Sequence, residues 1–106
     1  MAWIALVFAG LFEIVWSSAM KQSDGFTRLW PSVITVSGML ISFGLLALAM
    51  RDLPLGTAYT TWTGIGAVGA FVVGIVIFGE AMTVMRLLAA ALIVCGLVLM
   101  KLSSTP

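Results

Sequence analysis

Glu13 is the residue whose type and place most need a chemical account. It sits inside an apolar run from about Ala2 to Met20, whereas the other eight charged residues fall at the ends of such runs or between them. In a helix over that run the carboxyl lies two residues from the midpoint, about 3 Å along the axis. At the centre of a bilayer such a group costs at least ~2.5–3.5 kcal/mol, so it must face protein or a watered cavity. Desolvation penalises the charged form. A carboxyl group that gains and loses a proton near working pH is what proton coupling requires.

The residues around it suit an organic cation. Gly10, Glu13, Trp16 and Ser17 fall at i−3, i, i+3 and i+4, which places them on one helical face. Gly10 is expected to open space one turn from the carboxylate, with Trp16 as an aromatic wall and N–H donor and Ser17 as a hydroxyl. Ser42, at matching depth in the second run, is expected to hydrogen-bond Glu13. In the third run Tyr59, Trp62 and Thr63 repeat the i, i+3, i+4 spacing, and Thr60 and Thr61 add hydroxyls. A carboxylate pairs with a cation, aromatic faces attract it, and hydroxyls satisfy the remaining donors and acceptors. Since one carboxylate cannot hold proton and cation at full strength together, competition for it is a sufficient basis for exchange.

The elements that position these groups follow from composition. Of 106 residues, 62% are hydrophobic and 8% charged, with a mean hydropathy of +1.23. A soluble chain of this length cannot bury so much apolar surface, so the solvent is lipid. Four runs are long enough to cross a bilayer, at about 2–20, 32–50, 54–78 and 85–101. We therefore expect an all-α integral membrane protein, a single four-helix transmembrane domain over residues 1–106. Pro31 and Pro54 suit the first turns of helices, and Asp52 is a candidate N-cap. Short connections are expected to make sequence neighbours antiparallel neighbours in space. A cleaved signal peptide fits the first run poorly, because a basic leader is absent and Glu13 interrupts it.

With four spans, Arg51 and Lys101 lie on one side and Lys21, Arg28 and Arg86 on the other. Two against three leaves the positive-inside rule without a preference, as a chain inserting both ways would need. Four helices enclose a pathway poorly, so at least a dimer is expected, with two Glu13 carboxyls titrating as a coupled pair. Gly64-Ile65-Gly66 is a plausible hinge. Ala89, Leu92, Ile93 and Gly96 form a small, apolar face without buried charge, expected as a helix–helix seam. Arg28 and Arg86 are expected to snorkel, and Trp3 and Trp30 to sit in the interfacial belt. Cys95 lies in an apolar run as a small buried hydrophobe. With a net charge of +1 and no His, nucleic-acid binding through a basic surface is excluded. No metal site or cofactor is implied, and no nucleophile–base pair suggests an enzyme.

Two stretches carry a resemblance over the whole chain. They are Lys21 followed by Gly25-Phe26-Thr27-Arg28-Leu29-Trp30-Pro31-Ser32, and Pro54-Leu55-Gly56-Thr57-Ala58-Tyr59-Thr60-Thr61-Trp62-Thr63-Gly64-Ile65-Gly66. With a midplane Glu in the first of four spans, the sequence resembles the small multidrug resistance family. Gly10-Leu11-Phe12-Glu13-Ile14-Val15-Trp16, Gly79-Glu80, Met85-Arg86-Leu87 and Lys101 are closer to its guanidinium-exporting branch than to its quaternary-ammonium branch, where Gly is typical at Trp16. The resemblance implies an antiparallel, dual-topology homodimer in the bacterial inner membrane that exchanges protons for guanidinium by alternating access. It also implies a central site of Glu13 from both subunits, oriented by Trp16 and Ser42 and lined by Tyr59 and Trp62, with the fourth helix as the dimer seam. Ala89 departs from the Gly that usually opens that seam, and Thr60 from a common Ala.

Guanidinium fits this chemistry, since its planar N–H fork matches carboxylates bidentately. Two further readings stand beside it. One is a proton-coupled exporter of quaternary ammonium and other hydrophobic cations, which shares nearly every feature. The other is a non-transporting membrane subunit or scaffold, which has no need of a midplane acid.

Overall fold

Inside a bilayer every backbone N–H and C=O must find its partner within the chain, so long apolar runs become helices. The computed structural model describes residues 1–103 and contains four of them: α1 (Ala2–Gln22), α2 (Leu29–Met50), α3 (Leu55–Val76) and α4 (Val84–Ser103). Each has 20 to 22 residues, enough for a hydrocarbon core of about 30 Å. Residues 104–106 of the domain expected over 1–106 lie outside the described residues.

The helix ends differ from expectation where proline and glycine act. α2 starts at Leu29 rather than after Pro31, because a proline within the first turn forfeits no helical hydrogen bond. α3 has Pro54 as its N-cap with no side-chain capping bond, so Asp52 does not cap it. At the other end α3 stops at Val76, two residues short of the expected limit. Gly79 turns the chain with φ +69°, and the N–H groups of Phe78 and Glu80 return to the carbonyls of Val73 and Gly74. Thr83 begins α4 by accepting the Arg86 N–H on its Oγ1 at 3.2 Å, an N-cap geometry.

Lipid tails are as apolar as leucine, so close packing rather than hydrophobic burial holds such helices together, and small residues permit it. The buried core shows this composition: Leu6, Ala9, Leu46, Ala49, Ala58 and Trp62. α1 occupies the middle, packed most extensively on α2 and then on α3, while the backbone of α4 comes close to that of α3. α2 and α3, joined by the short 51–54 link, also touch, though less extensively than either touches α1. Glycines explain the order. Gly38 of α2 receives Trp16 of α1, and Gly66 and Gly69 of α3 receive Glu13 and Ile14 of α1.

The four helices span 43 × 34 × 16 Å along the principal axes. α4 forms one margin and buries none of its residues; Cys95, expected to be buried, is exposed there. The Lys101 ammonium stands 4.4 Å from the centroid of the Trp3 ring, tying the C-terminal end of α4 to the start of α1. Arg86 does more than snorkel: it pairs with Glu80 at 3.1 Å and lies 5.1 Å from the Phe71 ring centroid.

Candidate cation site

Glu13 points from α1 at α3, and its carboxyl group occupies the place where a Cβ on Gly66 would be. The residue is half-buried, with Oε1 fully shielded and without a hydrogen-bond partner. One turn further along α1, the buried Nε1 of Trp16 also has no partner. An acceptor and a donor thus stand unsatisfied on one face of one helix. Each such group costs about 1–3 kcal/mol if left so, a cost native proteins rarely carry without purpose.

Two supporting residues sit differently from expectation. The space beside Gly10 is filled by Ile65 of α3, so this glycine serves helix contact and leaves no room for a ligand. Ser42 is fully buried, but it does not reach Glu13. Its hydroxyl donates to the carbonyl of Ala9 at 2.7 Å and accepts the indole N–H of Trp62 at 2.9 Å. Ser42 thus spends its hydroxyl on the α1 backbone and on Trp62. The hydroxyl of Ser17 turns back to the Ile14 carbonyl at 3.1 Å and is likewise not offered to the carboxylate.

The Ser42 bridge locks Trp62, which is only 7% exposed, while Tyr59 is 52% exposed. Their rings lie 5.5 Å apart at 51°. Phe43 links this pair to the first helix, edge-on to Trp62 at 5.8 Å and to Trp16 at 6.3 Å. Trp16, Phe43, Trp62 and Tyr59 therefore form one continuous aromatic row across α1, α2 and α3. Phe43 escaped the sequence reading; an aromatic residue at mid-span, far from either interface, was the available clue.

α3 runs unbroken through Gly64-Ile65-Gly66. Gly64 admits Leu97 of α4, as Gly66 admits Glu13. On α4, Ala89, Leu92, Ile93 and Gly96 are all exposed, and Ala89 and Ile93 border an apolar groove of about 180 Å³ against Ala67, Val68 and Phe71. Among the described residues there is no cluster of His, Cys, Asp and Glu able to hold a metal.

Residues 1–104 match the sequence model of the Small Multidrug Resistance protein family. The chain belongs to the small multidrug resistance family. Among relatives of this small multidrug resistance chain, the guanidinium exporter of Escherichia coli (strain K12) is 58% identical over 104 residues, covering 98% of this chain and 99% of that one. The guanidinium exporter of Proteus vulgaris is 55% identical, covering 98% and 100%. That of Citrobacter freundii is 53% identical, covering 98% and 99%. The relationship is therefore end to end, as the resemblance read from the sequence required.

The Ser42 bridge gives this small multidrug resistance chain a testable support. Ser42→Ala removes the acceptor of a buried indole N–H and is expected to destabilise the fold by about 1–3 kcal/mol. Ser42→Thr, which keeps the hydroxyl, should recover part of this loss. Thermal unfolding in detergent, followed by Trp fluorescence, measures both. A Tm for Ser42→Ala equal to wild type would show that the bridge contributes nothing.

Proposed function

We propose that this chain is a proton-coupled antiporter that exports guanidinium across the bacterial inner membrane, in which it is a multi-pass protein. The relatives at 53–58% identity are named guanidinium exporters, so transport rather than catalysis is the activity assigned. The observation that carries the mechanism is the shielded, unpartnered Glu13 Oε1 at the centre of α1.

Glu13 binds the proton or the cation in turn. Ionised, it accepts two N–H bonds from planar guanidinium; protonated, it releases the ion. The Trp16 indole N–H, on the same helical face, orients the ionised carboxylate. Trp62, fixed by Ser42, and Tyr59 beside it supply aromatic surface against which the flat cation lies. A tetra-alkyl ammonium ion lacks N–H donors and gains only from the rings, so the site favours guanidinium.

Four helices enclose such a site poorly, and we infer an antiparallel homodimer with one Glu13 from each chain in a shared cavity. The exposed Ala89, Leu92, Ile93 and Gly96 are its seam. Alternation between an arrangement open to the cytoplasm and one open to the outside then carries cation one way and protons the other. Solid-supported-membrane currents across guanidinium, methylguanidinium and tetra-alkyl ammonium ions test the substrate. Guanidinium is expected to drive the largest current. Current from tetra-alkyl ammonium without any from guanidinium would move the chain to the multidrug reading, and no Glu13-dependent current from any cation would favour the scaffold.

A further inference from the structure

Glu13 is not the only carboxylate seated on a glycine of α3. Eight residues on, Gly74 leaves room for Glu80, whose Oε1 lies 2.7 Å from where a Cβ on Gly74 would be. The two notches are about 12 Å apart along the helix, with Ala70 midway on the same side. Opposite this track, α1 presents Glu13, Ser17 and Lys21 at successive turns. Between the two helices lies a groove of about 150 Å³ bordered by Ser17, Lys21, Ala70, Gly74, Phe78 and Glu80. One side of the groove thus reaches within a turn of Glu13, and Glu80 stands at its outer end.

The present partner of Glu80 is itself a guanidinium group. Arg86 reaches it through one nitrogen at 3.1 Å, a single contact rather than a bidentate fork, with both side chains well exposed at 37% and 47%. Arg86 has other holds, donating to the Ala81 carbonyl at 2.6 Å and lying over Phe71. It therefore keeps its place when Glu80 lets go. Exposed pairs of this kind are weak, so a free guanidinium ion offering two parallel N–H bonds can displace it.

Resting on the guanidinium-transport reading above, we propose that Glu80 is an outer station for guanidinium moving to or from Glu13, with Arg86 as its tethered competitor. Lys21, on the same groove, limits how long a cation dwells there. This suits a transit site, where binding must be strong enough to enter and weak enough to leave. In an antiparallel pair the same groove opens on each membrane face, so one residue serves both ends of the path.

Initial rates of guanidinium-driven current, measured against concentration for the reconstituted full chain, test the assignment. Glu80→Gln is expected to raise KM about threefold at low salt while kcat stays within about twofold, and the difference should shrink at high salt. Arg86→Gln is expected to lower KM, but only while residue 80 is Glu; in the double variant its effect vanishes. If Glu80→Gln does not yield dispersed protein, Glu80→Asp withdraws the carboxylate from Gly74 by one methylene and should show a smaller shift of the same sign. An unchanged KM in these residue-80 variants, or an Arg86→Gln effect independent of residue 80, overturns the station and leaves the transport reading intact. A wild-type chain with no Glu13-dependent guanidinium current overturns both.

Discussion

Glu13→Gln is expected to lower guanidinium-driven current by about a hundredfold or more, because each hydrogen bond to a charged group contributes about 1.5–3 kcal/mol and guanidinium makes two of them. The amide keeps the shape of the side chain and its place against Gly66, so the fold should survive. What it loses is the negative charge and the site for the exchanged proton. Two readouts separate these losses from general damage. Wild-type protein in weakly buffered detergent should release protons when guanidinium is added, and Glu13→Gln should release none. Glu13→Asp keeps the charge but draws it back from α3, and should bind guanidinium more weakly while still releasing protons. Transport by Glu13→Gln at the wild-type rate would show that another group carries the cation.

Gly66→Ala is expected to be nearly as damaging, through geometry alone. The new methyl group would coincide with the Glu13 carboxyl, in a helix pair whose contact depends on small residues. Overpacking of this kind costs typically about 1–3 kcal/mol, and relief here requires either moving the carboxylate or parting α1 from α3. Either displaces the site, and an error near 1 Å can lower a positioned reaction by about a hundredfold. Gly44→Ala is the control, since open space surrounds that residue. Guanidinium current should fall at least about tenfold in the first variant and remain near wild type in the second. Equal activity of both would mean that the Gly66 notch does not matter to Glu13.

The fold and the central acid were legible in the sequence, and the partners of that acid only partly. Hydropathy finds membrane helices because a lipid solvent leaves the backbone no alternative, so the four spans needed no tertiary information. A midplane carboxylate is equally plain, being costly wherever it occurs. The residues around it depend on helix rotation and axial offset, which period alone does not supply. Gly10 read as open space because its own helix offers nothing there; Ile65, on another helix, fills it. Ser42 had the right depth but donates its hydroxyl to the Ala9 carbonyl and accepts from Trp62, bracing that ring. Gly64 and Gly66 read as a hinge because glycine weakens a helix; both positions also serve close approach. The Gly74–Glu80 contact was hidden for a different reason: the turn at Gly79, with φ +69°, folds a loop residue back along the helix it has just left.

The completeness of the four helices within one chain bears on how much of the expressed protein is working protein. Each chain finishes its secondary structure alone and can persist in the bilayer singly, with its outward side chains matched to acyl tails. In the antiparallel pair proposed above, the shared cavity exists only after association. Activity per molecule should then follow the protein-to-lipid ratio: diluting the reconstituted chain with lipid is expected to lower guanidinium current per protein, while helix content by circular dichroism stays constant. A cell could set its export capacity steeply by expression level, since doubling the chains in the membrane more than doubles the pairs while most are still single.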